Sequence, residues 1–124
     1  MKENLFFRDI KPENIMVLTI AYIKLIDFAT AKALKDKTNS IIGTPQYMAP
    51  EVIMGDYYSF EIDYWSIGIC LYEFYCGNIP FGENANDPLD IYVAIINNSF
   101  LCDLLSAFCT IFFKKCRRAP YSLL

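Results

Sequence analysis

Between Arg8 and Asn14 the chain gathers a guanidinium, two carboxylates (Asp9 and Glu13), the Lys11 ammonium and the Asn14 carboxamide. Side chains of these types suit proton transfer, anion binding and ligation of a hard cation. Taken alone, the stretch reads equally as a solvated polar turn. Three further dense segments follow: Asp27-Phe28-Ala29, Gly43-Thr44-Pro45-Gln46-Tyr47-Met48-Ala49-Pro50-Glu51 and Asp63-Tyr64-Trp65-Ser66-Ile67-Gly68. Histidine is absent from all 124 residues. That excludes Ser-His-Asp and Cys-His catalysis, histidine zinc sites and a histidine pH switch. Charge is unevenly laid out: residues 1–37 hold seven of the eleven basic side chains, while 38–113 hold nine carboxylates and no Lys or Arg. The last four basic residues are Lys114, Lys115, Arg117 and Arg118. Nucleic acid needs a broad basic face, so it is not an expected partner. The acidic stretch suits a cationic substrate, or a metal ion with its phosphates.

These residues need elements to position them. Apolar residues make up 55% and charged residues 20%, a globular composition for one small domain. Ile15 to Ile26 reads as two short strands, although Leu18-Thr19-Ile20-Ala21 lacks ordinary turn residues. Residues 28–46 read as a long loop. Pro50 opens a short helix through Met54, with Gly55 after it. Ser59 is the expected N-cap of a helix over 60–76 that Gly77 stops. That helix is apolar on nearly every side, which predicts a buried one in which Asp63 and Glu73 are paired or working. Asp87-Pro88 caps and starts a further helix to about Asn97.

Five cysteines, at 70, 76, 102, 109 and 116, include no C-x-x-C pair. Lys2 and Glu3 follow Met1 at once with no apolar leader, so free thiols and a cytoplasmic location are expected. Cys102, Cys109 and Cys116 recur every seven residues but make a poor zinc site without histidine. Residues 99–113 are strongly apolar, yet the run is short for a bilayer span and contains Asp103. A membrane role is not expected.

Together, in this order and spacing, the four segments closely resemble the large, C-terminal lobe of a eukaryotic protein kinase over about residues 4–98. The first resembles the catalytic loop, the second the metal-binding triplet, the third the end of the activation segment and the fourth the start of the central helix. The resemblance implies a mainly α fold, a kinase-like C-lobe with a short β-hairpin near its start. It divides the chain into residues 1–100 as that lobe and 101–124 as a divergent tail. The implied cofactors are ATP and Mg²⁺. Phosphoryl transfer needs a base near the attacking hydroxyl and cations over the phosphates, held in line. The resemblance gives Asp9 the substrate hydroxyl, Lys11 the transferring phosphate, and Asn14 and Asp27 the magnesium. Lys24, in Tyr22-Ile23-Lys24, lies immediately before the triplet and is not the nucleotide-pairing lysine.

Lys11 with Thr44 looks like the serine/threonine pattern within the AGC group. Gly68 to Glu83 is similar to the cyclic-nucleotide-dependent kinases, most of all the cGMP-dependent ones. In that group two acids, here Glu13 and Glu73, select arginine in the protein substrate near the target Ser or Thr, as a bidentate ion pair allows. Ser40 matches the phosphorylated position of the activation segment, with Arg8 and Lys32 as phosphate partners. Glu51 and Asp63 are implied structural acids. Glu51 pairs in relatives with a later arginine, for which Arg117 and Arg118 are the candidates here.

The chain also departs from the pattern. It carries no glycine-rich phosphate loop or nucleotide-pairing lysine strand, so the expectation is a fragment inactive alone. Ala29 stands where the family has glycine, which costs stability wherever φ is positive. Phe7 replaces His or Tyr. The alternative reading is a non-catalytic docking fragment that binds kinase substrates or partners through its acidic helical face.

Overall fold

A computed structural model describes residues 5–19, 22–33 and 37–98. The described elements run β1 (Leu5–Phe6), β2 (Ile15–Thr19), β3 (Tyr22–Leu25), β4 (Lys32–Ala33), α1 (Pro50–Ile53), α2 (Glu61–Cys76) and α3 (Pro88–Asn97), with 3-10 turns at Pro12–Asn14 and Pro45–Tyr47. The strands form two antiparallel pairs, β1 with β4 and β2 with β3.

The hairpin read from residues 15–26 is present, with Ile15 opposite Leu25 and Val17 opposite Ile23. Its register slips between Val17 and Thr19, beside the poorly written turn. Ile20 and Ala21 lie outside the described residues. Only the base of the hairpin, at Ile15 and Leu25, packs on the core; Val17 and Ile23 are 70% and 71% exposed. The stretch 28–46 is not wholly loop. Lys32 and Ala33 pair with Phe6 and Leu5, because two short segments flanking the hairpin satisfy one another's backbone groups.

The core gathers around α2. Ile62, Trp65, Ile69 and Cys70 face Phe6, Ile10, Val52, Tyr58, Phe81, Ile91 and Ile95 in one buried cluster. The Trp65 ring stacks on Phe81. The helix is less enclosed than its apolar composition predicts: its last turn emerges, with Phe74 exposed and Tyr75 94% exposed. Ser59 does not cap it. Phe60 occupies the flanking position in a helical conformation with no side-chain cap, and Asp63 N–H closes the first turn on the Phe60 carbonyl at 3.0 Å. Ser59 itself is buried beside Tyr58. The stop at Gly77 holds: φ is +82°, and its N–H donates to the Glu73 carbonyl at 2.8 Å. The cap at Asp87 also holds, its carboxylate accepting from Leu89 N–H at 2.9 Å.

Among the described residues Cys70 is a buried free thiol and Cys76 an exposed one. The expectations for Cys102, Cys109, Cys116 and the 101–124 tail lie outside the described residues. Among the described residues no helix is long and apolar enough to cross a membrane.

Candidate functional site

The polar stretch at 8–14 sits directly on the first turn of α2. The Asp63 carboxylate accepts from Phe7 N–H at 2.6 Å and from Arg8 N–H at 2.8 Å. Burial raises the Asp63 pKa, opposed by these two backbone bonds and by the Arg8 charge. Arg8 has φ +69°, a left-handed conformation that a non-glycine residue adopts at a cost. Both oxygens of Asp63 are thus spent on fixing the turn that leads into Asp9. Thr30 fastens the other side: its hydroxyl donates to the Phe7 carbonyl at 2.9 Å, and Arg8 Nε donates to the Thr30 carbonyl at 2.6 Å.

Asp9, Lys11 and Thr44 then form a closed triangle. The Thr44 hydroxyl donates to Asp9 Oδ1 at 2.7 Å, Lys11 Nζ donates to Thr44 Oγ1 at 2.9 Å, and Lys11 Nζ lies 3.4 Å from Asp9 Oδ2. The two side chains from one loop are so joined to a residue 33 positions downstream of Lys11. Gly43, just before Thr44, has φ +122°, and a Cβ there would come within 2.8 Å of the Arg8 carbonyl. Glycine is required for this approach.

Asn14 is buried and its side-chain amide donates to the Asp9 carbonyl at 2.9 Å. Its own carbonyl accepts from Ile26 N–H at 2.9 Å, which brings Asp27 beside it. Asp27 is exposed with φ +65°, and its carboxylate accepts from Ala29 N–H at 3.1 Å. Phe28 meets Phe7 edge to face at 5.1 Å, so phenylalanine at position 7 keeps a packing role. Ala29 is not among the positive-φ residues, so the strain expected there is absent in this conformation; the left-handed residue is Asp27. Asn14 and Asp27 offer the hard oxygens that magnesium takes, along with phosphate and water oxygens. Among the described residues no group of three carboxylates and thiolates gathers to close a metal shell unaided.

Glu73, on α2, accepts from the Tyr47 hydroxyl at 2.6 Å. The Tyr47 phenol is held well above its ordinary range by burial first, then by Glu73, with Glu13 adding to it. The same two acids, after burial, push the Cys70 thiol up to about 12. Glu13 and Glu73 therefore act on one neighbourhood, although they stand 60 positions apart. Ser66 supports it from below, its hydroxyl donating to the Tyr47 carbonyl at 2.8 Å.

Ser40 is exposed, its hydroxyl 3.3 Å from that of Thr38. Arg8 and Lys32 do not meet it directly. The Arg8 guanidinium lies over the Phe6 ring at 5.5 Å, and Lys32 is the strand partner of Phe6. Glu51 has no ion-pair partner among the described residues; burial raises its pKa, with Glu61 and Asp56 adding to the rise. Arg117 and Arg118 lie outside the described residues. Thr30 and Tyr58 were not singled out by their sequence context. Each acts through long-range backbone bonds, and no local pattern signals that.

A family profile described as "Protein kinase domain" matches residues 1–116. A cGMP-dependent protein kinase of Toxoplasma gondii is 46% identical over 100 residues, covering 81% of this chain and 10% of that protein. One of Eimeria tenella is 48% identical over 95 residues, covering 77% of this chain and 10% of that protein. The cAMP-dependent protein kinase catalytic subunit 2 of Drosophila melanogaster is 38% identical over 102 residues, covering 82% and 28%. The chain spans about a tenth of the length of the cGMP-dependent relatives. A match across most of the sequence, joined to a loop whose Asp9 and Lys11 are tied to Thr44, whose Asn14 bonds the Asp9 carbonyl and whose Phe7 and Arg8 N–H groups are held by Asp63 of α2, makes this chain a member of the protein kinase domain family.

Proposed function

We propose that this chain is the large-lobe part of a serine/threonine protein kinase of the cGMP-dependent type, with residues 1–100 forming the lobe and 101–124 a divergent tail. The observation that carries it is the triangle of Asp9, Lys11 and Thr44. In this reading Asp9 orients the hydroxyl of a substrate Ser or Thr and takes its proton. Lys11 turns its ammonium to the transferring phosphate, and Thr44 sets the distance between the two. The Asn14 and Asp27 oxygens would hold magnesium. Magnesium–ATP, when bound, supplies the phosphoryl group and positive charge over its oxygens. Glu13 and Glu73 take an arginine of the protein substrate. Phosphate on Ser40 draws on Arg8 and Lys32.

These 124 residues hold five glycines, at 43, 55, 68, 77 and 82, and no glycine-rich phosphate loop among them. Positioning of ATP at ordinary kinase rates therefore needs residues outside this stretch. The test is phosphate transfer from magnesium–ATP to an arginine-containing serine peptide. It is run on this chain and on a fusion that adds a glycine-rich loop and lysine strand ahead of Leu5. The chain alone is expected to give negligible transfer, and the fusion a signal that Asp9→Asn abolishes. A fusion that binds the peptide but transfers nothing would replace this reading with a docking role. Turnover of about 1 per second by the unfused chain would refute the dependence on further residues.

A further inference from the structure

Tyr58 is wholly buried, yet the nearest motifs give it no role. Its hydroxyl donates to the Ser40 carbonyl at 2.6 Å. Its backbone pairs in both directions with Thr38: Thr38 N–H to the Tyr58 carbonyl at 3.1 Å, and Tyr58 N–H to the Thr38 carbonyl at 2.8 Å. Three hydrogen bonds at one residue thus fix the segment 38–40, in which Thr38 is buried and Asn39 and Ser40 are exposed. On the opposite side the Tyr58 ring meets Phe6 edge to face at 6.2 Å. Phe6 is itself fully buried, carries the Arg8 guanidinium over its face and pairs with Lys32.

We propose that Tyr58 is a positioning residue: its hydroxyl sets where residue 40 sits, and its ring couples that position to Phe6 and so to Arg8. A tyrosine suits this role better than any aliphatic residue. The ring buries against Phe6 while the hydroxyl reaches a backbone acceptor, so one rigid side chain spans both contacts. A change at Ser40 then has a continuous packed route to the loop that carries Asp9. The route consists of two rings and one hydrogen bond, and its ends do not touch. The inference concerns the folded chain and does not depend on phosphoryl transfer, so its failure and that of the kinase reading are separately visible.

The experiment is residue-resolved amide exchange and NMR on the full 124-residue chain. Tyr58→Phe keeps the ring and deletes the hydroxyl. It is expected to speed exchange in 38–42 by about fivefold, the size of one lost hydrogen bond, and to leave 62–70 unchanged. The Ser40 carbonyl carbon resonance is expected to move upfield as its donor is lost. Equal acceleration in both regions would reduce Tyr58 to general packing, and no change in either would remove the role. The coupling is read with Ser40→Glu, which is expected to shift the Arg8 amide resonance in the Tyr58 chain and not in Tyr58→Phe. An Arg8 shift that persists in Tyr58→Phe would overturn the coupling.

Discussion

Arg8 and Asp27 adopt nearly the same left-handed backbone, φ +69° and +65°, and are held in it by opposite means. Arg8 is fixed from outside: Asp63 of α2 takes its N–H, Thr30 takes its side chain, and Gly43 closes over its carbonyl. Asp27 is fixed by itself, through a carboxylate that accepts from Ala29 N–H two residues on. Aspartate tolerates this conformation because such a local bond offsets part of its cost, whereas arginine has no such device. The loop that carries Asp9 and Lys11 is therefore built into the body of the fold. The Asp27 turn hangs from Asn14 and one ring contact, next to a hairpin with exposed faces.

The sharpest way to break this contrast is to make the same change in both aspartates. Asp63→Asn puts an amide where two backbone N–H groups need acceptors, and is expected to lower stability to urea by about 2–3 kcal/mol. Asp27→Asn keeps an acceptor for Ala29 and tolerates the positive φ, so it is expected to stay within about 0.5 kcal/mol of the parent. Equal losses would mean that the Asp27 turn is as deeply anchored as the loop at Arg8.

A second comparison lies within α2. Asp63, at its start, accepts from backbone N–H groups, and Glu73, near its end, accepts from the Tyr47 hydroxyl. Tyr47→Phe leaves a partly buried carboxylate without that donor and is expected to cost about 1.5 kcal/mol. In the same variant the Cys70 thiol should remain well above its ordinary range, since burial is the first cause of its rise. Titration of thiol reactivity checks this: a Cys70 pKa that falls to the ordinary value while Glu73 is still in place would show that burial is not what holds the thiol up.

How much of this was legible depended on how locally each feature is written. The Asp87 cap, the Gly77 stop and the hairpin over 15–26 are spelled by neighbours in the chain, and each formed as read. The Ser59 cap looked equally well spelled. It failed because Tyr58 is tied to Thr38 and Ser59 is buried beside it, and the helix starts past them. The end of α2 is as apolar as its middle, yet Tyr75 faces outward, and composition carries no information on which turn the core reaches. At the site, the motifs named Asp9, Lys11, Asn14 and Thr44, while the stitches from Thr30 and Tyr58 depend on partners 18 to 23 residues away. That Glu13 and Glu73 both bear on the surroundings of Tyr47 and Cys70 was implied only by likeness to relatives, since nothing in the spacing brings them together.

Ala29 tests the Asp27 side directly. Its φ is not positive, so glycine there relieves no strain in this conformation and adds freedom to the unfolded chain. Ala29→Gly is expected to destabilise by about 0.5–1 kcal/mol in thermal or urea unfolding. A gain in stability would mean that the turn prefers a conformation closed to alanine.

The smallest effect expected is also the most sensitive to pH. Glu51 sits partly buried on α1 with no cation beside it among the described residues, and burial, followed by Glu61 and Asp56, raises its pKa. A raised carboxyl pKa means that the folded chain holds its proton to higher pH than the unfolded chain does. Between the two values the folded state binds more protons, so stability falls as pH rises through that window. Below the ordinary carboxylate value both states are protonated and the stabilising contribution is complete. Above the raised value both are ionised and it is gone. Glu51→Gln removes this titration. The variant is expected to match the parent in acid and to exceed it at neutral pH by a few tenths of a kcal/mol, a size ordinary for a change outside the core. Urea unfolding of the two proteins at acid and neutral pH reads the difference. A variant less stable than the parent at neutral pH would show that the Glu51 carboxylate has a cation partner after all, and the tail carrying Arg117 and Arg118 would then be the place to find it.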